Sequence, residues 1–386
     1  MEPKAITRRY DIDWLRVLAI LFVFVFHSTR FFNLGDWHIK NPATYSAVEV
    51  WIEFASSWMM PFVFVISGAS LFYAVGKSGA GQFIKDKVLR LLVPLVVGVF
   101  THAALQVYLE RITHGQFRGS FFDFLPHYFE GLYGLGGNLA FHGMHLWYLL
   151  VLFVFSIVLL PLFLLLKSKI GSRAFGKLMD LVALPGLVYV LALAILLSWK
   201  SIGRNSLLGF DKFDWNLGVY LSFLLFGFVI MASDRVQQSI QRLRWVSLLG
   251  AIALTVNLIL GNPDPHRDLI AWFFVLTFLG FGMKHLNFNT PFLKYANEAV
   301  LPFYILHQTV LLSVGYFVVR WAIPDPLKWL SIASISFVII MGLYELVRRN
   351  NILRFLFGMK PLRRAEPLKR AAPVATQPAQ PAREKA

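Results

Sequence analysis

The chain has 386 residues, of which 57% are hydrophobic and 15% are charged, and its formal net charge is +16. Soluble chains carry about 25% charged residues, so this composition predicts a polytopic membrane protein. The absence of cysteine excludes disulfides, thiolate metal sites and a cysteine nucleophile.

The first apolar stretch, DWLRVLAILFVFVFHSTRFF at 13–32, is long enough to cross a bilayer as a helix. It contains Arg16 and His27, eleven residues apart, so both side chains share a face at about 16 Å separation along the axis. Ionisable groups inside a membrane helix usually face a bundle interior, a cavity or a partner. Arg16 either pairs with Asp13 at the interface or binds an anion. His27 is either a structural donor or a proton acceptor.

Ten apolar segments of spanning length are predicted, at about 13–33, 47–75, 90–110, 145–166, 180–199, 215–233, 245–261, 268–284, 299–320 and 327–347. Most Lys and Arg residues lie on the side of the N-terminus, so the positive-inside rule predicts both termini in the cytoplasm. The excess positive charge then reflects topology and attraction to anionic lipid rather than nucleic-acid binding. The fold class expected is an all-α bundle of about ten transmembrane helices.

The domain organisation predicted is one membrane domain at 13–348, preceded by a cytoplasmic segment at 1–12 and followed by a basic tail at 349–386. The tail ends in AAPVATQPAQPAREKA, whose Pro-, Ala- and Gln-rich composition predicts disorder. The longest loop, at 111–144, is rich in glycine and aromatic residues, which predicts a folded lid.

Helices two and three contribute the next polar residues. Helix two contains Ser67 and Gly68 within PFVFVISGASLFYA, where small residues commonly allow close helix packing. Helix three begins with QFIKDKVLRLLVP, which contains Lys85, Lys87 and Arg90. These cations are either flanking charges set by topology or a site for a phosphate-rich ligand.

Helix four opens with HGMHLWYLL, in which His142 and His145 are three residues apart. No third ligand accompanies them at a recognisable spacing, so no metal site is expected. Trp147 and Tyr148 fit an interfacial aromatic belt as well as they fit a functional site.

Helix nine, ANEAVLPFYILHQTVLL, concentrates polarity in one apolar segment. Its polar residues are Asn297, Glu298, Tyr304, His307 and Gln308. Together with Arg16, His27 and the segment around His145, they predict a bundle with a polar interior.

Four motifs in this order resemble the family-3 membrane acyltransferases: the Arg16–His27 spacing, Ser67–Gly68, HLWYL at 145–149 and YILHQ at 304–308. RRYDIDWLR, GDWHIKN and YELVRRNNILRFLFGMKP look like a subgroup that succinylates osmoregulated periplasmic glucans. The chain departs from the family at Lys87, where many relatives have the first arginine of an Arg–two residues–Arg element ending at Arg90. It departs again at Thr309, where proline is frequent.

The resemblance implies transfer of a succinyl or acetyl group from cytoplasmic acyl-CoA to hydroxyls of a periplasmic glucan or surface polysaccharide, in the bacterial inner membrane. It implies His27 as the general base. The full set of expected site residues is His27, Arg16 and His307 for catalysis, Arg16, Lys85, Lys87 and Arg90 for acyl-CoA, and His145, Trp147 and Tyr304 for the acceptor. Tyr304, His307 and Ser67 are alternative donors to the oxyanion.

A proton-coupled transporter or exporter of a sugar-containing solute is the alternative function, because ten helices with intramembrane His and Arg also suit such a carrier. The sequence shows no pair of Gly- or Pro-broken helices in matching halves, which disfavours it. Release of the thiol of coenzyme A distinguishes the two functions.

Overall fold

The computed structural model describes residues 8–77, 79–201, 209–210, 215–260 and 267–362. The first residues of the predicted segment 1–12 and most of the predicted tail 349–386 lie outside these ranges. Within them the chain is helical apart from turns and one pair of two-residue strands, β1 (Gly209–Phe210) and β2 (Trp215–Asn216), which are antiparallel.

The helices follow the chain in order, with short 3-10 turns at Met144–Leu146 and Leu187–Val190. They are α1 (Tyr10–Thr29), α2 (Ser46–Ala74), α3 (Ala80–Thr113), α4 (Phe121–His127), α5 (Trp147–Val158), α6 (Leu160–Lys167), α7 (Lys169–Val182), α8 (Leu191–Ser201), α9 (Leu217–Met231), α10 (Asp234–Ile259), α11 (Arg267–His285), α12 (Pro291–Val318), α13 (Asp325–Arg349) and α14 (Asn351–Leu356).

Seven helices in the described ranges are long and apolar enough to cross a membrane: α1, α2, α3, α10, α11, α12 and α13. Two bent pairs raise the number to nine if each pair is one span: α5 with α6, bent by 51°, and α7 with the helix that follows it, bent by 110°. α9 is a shorter apolar helix. The chain is therefore a multi-pass membrane protein with the predicted all-α fold. Its predicted ten spans and cytoplasmic termini stay predictions.

One helix boundary differs from the predicted apolar segments. α3 begins at Ala80, ten residues before the predicted segment 90–110, whereas α2 agrees with the predicted segment 47–75 and continues through Pro61. Lys85 and Lys87 lie near the start of α3. Both ends of the described chain lie at one face of the bundle, called here the terminal face. The opposite face, called the loop face, holds the segments 30–45 and 114–143.

α2 and α9 approach each other at two glycines. A Cβ atom on Gly68 would clash with the backbone of α9 at Leu224, and one on Gly227 would clash with the backbone of α2 at Val65. Small residues allow this approach between membrane helices. The packing interpretation of Gly68 is confirmed.

Gly68→Ala is expected to lower the free energy of unfolding by about 2 kcal/mol, because the added methyl group must separate two backbones that are in contact. Thermal unfolding of the purified protein in detergent measures the change. Gly342→Ala is the matched control, since a Cβ atom there meets nothing within 4 Å. Equal unfolding temperatures for the two variants would contradict the packing role of Gly68.

The loop at 114–143 is folded, as predicted. Ser120 caps α4 through reciprocal hydrogen bonds with Asp123. Tyr128 is only 1% exposed and donates a hydrogen bond to the carbonyl of Val99 at 2.7 Å. Burial raises the pKa of Tyr128 to about 12. This tyrosine therefore anchors the loop to α3.

The segment between α1 and α2 is organised around Lys40. Its ammonium group donates to the carbonyls of Asn33 at 2.5 Å and Gly35 at 2.9 Å. Burial lowers the pKa of Lys40 to about 8. These contacts hold the chain in a compact turn that brings Trp37 and His38 over the helical bundle.

Candidate functional site

A cavity of about 420 Å³ lies at the terminal face, between α1, α2, α3, α5, α12 and α14. Its lining includes five cationic side chains and one carboxylate, which are Arg16, Lys87, Arg90, Arg354, Lys360 and Glu298. The deeper walls are largely apolar. The cavity therefore combines a cationic mouth with an apolar interior.

Arg16 projects from α1 into this cavity and is held by three partners. Its guanidinium donates to Asp13 at 3.0 Å, to the side-chain oxygen of Asn297 at 2.9 Å and to the hydroxyl of Ser70 at 2.7 Å. Pairing of Arg16 with Asp13 is thus compatible with binding of an anion by the same guanidinium. The ion pair with Asp13 exists, and it fixes the guanidinium at the cavity wall.

The inner end of the cavity is lined by three hydroxyl groups. Ser67 donates to the carbonyl of Val63 at 2.9 Å, so the hydroxyl of Tyr148 is left to donate to Ser67 in their close contact. Tyr304 donates to the backbone carbonyl of His145. All three protons are already used, and each hydroxyl must change its partner before it can donate to a ligand.

Behind Tyr304 lie three histidines from three different helical segments. The Nδ1 of His27 is 3.3 Å from the Nε2 of His307. The rings of His145 and His307 have centroids 4.9 Å apart. The ring of Tyr304 lies between these histidines and the cavity, with its centroid 5.6 Å from that of His307.

The hydrogen bonds of the cluster determine which nitrogen carries each proton. Carbonyl oxygens only accept, so the Nδ1 of His27, 2.9 Å from the carbonyl of Val23, must carry hydrogen. The Nδ1 of His307, 2.6 Å from the carbonyl of Tyr304, must also carry hydrogen. The Nε2 of His307 therefore accepts from His27. The Nε2 of His27 retains its lone pair and makes no hydrogen bond to any residue in the described ranges.

A hydrogen-bonded network extends from His145 towards the loop face. The Nε2 of His145 donates to the carbonyl of Ile305 at 3.0 Å, so its Nδ1 accepts from the amide of Gln106 at 3.2 Å. Gln308 donates to the side-chain oxygen of Gln106 at 3.1 Å. The same amide nitrogen of Gln308 is 3.2 Å from the Nε2 of His38.

The network ends at the buried carboxylate of Glu110. The Nδ1 of His38 donates to this carboxylate, and so do Tyr133 at 2.9 Å and Arg111 at 3.1 Å. His38 was noted in the sequence only as part of the GDWHIKN motif, and Gln106 and Glu110 were not predicted as site residues. The sequence does contain a signal for Gln106 and Glu110, because these polar residues are four positions apart on one face of an apolar helix.

Comparison with known proteins gives the family. A model described as an acyltransferase domain matches residues 9–345. The chain belongs to acyltransferase family 3. The glucans biosynthesis protein C of Escherichia coli K12 and that of Shigella dysenteriae serotype 1 are each 23% identical to this chain over 389 residues, covering 95% of it and 98% of each relative. No solved structure matches the chain.

Membership of this family makes the chain an acyltransferase enzyme. It decides against the transporter interpretation, which rested on the same intramembrane charges. The family match includes the three histidines and the part of the cavity formed by α1, α2, α3, α5 and α12. The lining residues Arg354, Gly358, Met359 and Lys360 lie beyond the matched range.

Several predicted site residues of this acyltransferase lie together and others lie apart. Arg16, Lys87, Arg90 and Tyr304 line the cavity, and His27, His145 and His307 form the cluster behind Tyr304. Lys85 is exposed and does not line the cavity. Trp147 packs its ring on Tyr220, with centroids 5.5 Å apart, and is also outside the lining.

His142 and His145 have separate surroundings, although they are three residues apart. His142 packs against Tyr133 with ring centroids 6.0 Å apart, and burial lowers the pKa of His142 to about 4. In the part of the chain that the structure describes, no group of three or more His, Asp or Glu side chains is arranged to hold a metal ion.

Glu110→Ala is expected to lower the free energy of unfolding by about 3 kcal/mol, because the partly buried Arg111 and the hydrogen-bonded His38 lose their shared acceptor. Thermal unfolding in detergent measures the loss. Glu130→Ala is the control, since its carboxylate is 67% exposed and pairs with the half-exposed His127. Destabilisation of similar size in both variants would refute the role assigned to Glu110.

Proposed function

We propose that this acyltransferase moves an acyl group from cytoplasmic acyl-CoA to hydroxyl groups of a glucan on the periplasmic side. The observation that supports this most strongly is that Tyr304, which lines the cation-lined cavity, also contacts the rings of His145 and His307 in the histidine cluster. A donor with phosphate groups suits the mouth of the cavity, and a proton acceptor is available behind its inner end.

The donor's phosphate groups bind at the cationic mouth in this proposal. Lys87 and Arg90 make no ion pair with any residue in the described ranges, so both cations are free to bind phosphate oxygens. Arg16 lies deeper, held by Asn297 and Ser70, and contacts the pantetheine arm or the thioester. The apolar walls beyond it exclude water from the thioester.

His27 is the general base of the proposed reaction. The acceptor hydroxyl loses its proton to the Nε2 of His27 while its oxygen attacks the thioester carbonyl carbon. When the tetrahedral intermediate collapses, the carbon–sulfur bond breaks and the thiolate takes the proton from His27. The imidazolium that forms in between is stabilised because its Nδ1 donates to Val23 and His307.

The acceptor reaches His27 from the loop face, where the ring of Trp37 stacks on that of His27 with centroids 6.4 Å apart. The name of the relatives supports a glucan as the acceptor, and we propose succinyl as the acyl group and the bacterial inner membrane as the location. In this orientation the terminal face and both termini are cytoplasmic, in agreement with the distribution of Lys and Arg.

The proposal is tested with the full chain purified into lipid nanodiscs. Succinyl-CoA and unmodified periplasmic glucan are added together. The release of thiol is followed over time, and the mass of the glucan is measured by mass spectrometry. We expect thiol release that depends on the glucan, with one succinyl ester formed per thiol. Acetyl-CoA in place of succinyl-CoA tests the acyl group. Absence of thiol release with both donors would overturn the proposal.

A further inference from the structure

We propose that residues 351–362, called here the C-terminal hook, form one wall of the donor cavity and that Lys360 binds the phosphate groups of the donor. The proposal rests on the proposed use of acyl-CoA. From the sequence, this segment is expected to belong to a tail outside the membrane domain. In the structure, Arg354, Gly358, Met359 and Lys360 line the same cavity as Arg16.

Arg354 anchors the hook to the bundle. Its side chain is only 7% exposed, and its guanidinium donates to Glu298 on α12 at 2.9 Å. It also donates to the carbonyl of Arg348 at 3.0 Å and to that of Lys360 at 2.6 Å. Because every nitrogen of the guanidinium has a partner, Arg354 positions Lys360 rather than binding a ligand itself.

Gly358 attaches the hook to α3 at the turn that carries Arg90. Its φ of +65° favours glycine, and a Cβ atom there would lie 2.7 Å from the carbonyl oxygen of Arg90. Arg90 lies within the π-helical turn Val88–Leu92 of α3. Such turns are frequent at functional sites. The hook and this cationic turn are therefore in direct contact.

The charges at the cavity favour an anionic ligand with several phosphate groups. Glu298 is paired with Arg354, and Asp13 is paired with Arg16. The ammonium of Lys360 is exposed, and like Lys87 and Arg90 it forms no ion pair within the described ranges. Three unpaired cations from two separate segments thus surround one opening. A nucleotide with a diphosphate and a further phosphate fits this arrangement.

The first test compares donors with and without these phosphate groups. Lys360→Ala is expected to raise the KM for succinyl-CoA about tenfold, the loss of one charge-assisted contact, while kcat is unchanged. The same variant is expected to use S-succinyl-pantetheine, which lacks the nucleotide phosphates, as well as the wild type does. The control is Lys294→Ala, an exposed lysine on α12 that does not line the cavity.

The second test measures binding of coenzyme A by calorimetry, without turnover. Lys360→Ala and Gly358→Val, which displaces the hook, are both expected to bind coenzyme A more weakly than the wild type and Lys294→Ala. Lys360 is exposed, so its replacement leaves the fold intact. Unchanged affinity of Lys360→Ala for coenzyme A would overturn the proposed role of the hook but not the proposed donor. A wild-type protein that binds no coenzyme A would overturn the proposed donor as well, so the two failures are distinguishable.

Discussion

Replacing His27 with alanine is expected to lower kcat for acyl transfer by about 10²- to 10⁴-fold, the usual contribution of a general base. The physical reason is that the Nε2 of His27 is left with a lone pair by the contacts of Nδ1 with Val23 and His307. Initial rates of thiol release at saturating donor and acceptor measure the loss.

The same variant is expected to bind coenzyme A with unchanged affinity, since His27 does not line the cavity. His285→Ala is the matched control, because His285 is an exposed histidine at the end of α11 that stacks on Phe281 and does not line the cavity. A His27→Ala protein with wild-type kcat would remove His27 from the chemistry. A protein that lost both kcat and coenzyme A binding would point to misfolding, which the unfolding temperature would reveal.

Replacing Lys87 and Arg90 together with alanine is expected to raise the KM for acyl-CoA about 100-fold, as two phosphate contacts are lost at about tenfold each. The KM for the acceptor is expected to stay unchanged, because the proposed mechanism has the acceptor enter from the loop face. Steady-state kinetics with each substrate varied in turn separates the two constants.

The chain supplies a close control in Lys85→Ala. Lys85 lies on the same helix as Lys87 but is exposed and outside the cavity lining, so its replacement is expected to leave both constants unchanged. If Lys85→Ala raised the KM for acyl-CoA as much as the double variant does, the cations would act as a diffuse charge. If the double variant raised only the KM for the acceptor, the donor would bind elsewhere.

The sequence predicted those site residues whose charge makes them costly to bury in an apolar helix. Arg16 and His27 stand out because ionisable groups are rare in apolar helices. The structure places them as the spacing predicts, at different depths. Arg16 lines the cavity, whereas His27 lies behind Tyr304 beside His307. The identity of their partners depends on how the helices pack, which helical periodicity alone does not give.

Arg354, Lys360 and His38 were not predicted as site residues, because their positions carry no signal of burial in a spanning helix. Arg354 and Lys360 belong to a basic segment after the last span, where positive charge is expected from topology alone, so its return to the cavity has no signal in composition. His38 lies in a loop, where no periodicity indicates the direction of a side chain. In the sequence Glu110 is typical of an interfacial residue. Only the structure shows that His38 and Tyr133 donate to it.

The most direct test of acyl transfer with His27 as the general base is transfer of an isotope-labelled succinyl group by wild-type and His27→Ala proteins in nanodiscs. Mass spectrometry of the glucan and a thiol assay are carried out on the same samples. We expect labelled succinyl esters on the wild-type product, equal in amount to the thiol released, and at most about 1% of either product with His27→Ala in the same time. Equal labelling by the two proteins, or labelled glucan without thiol release, would contradict it.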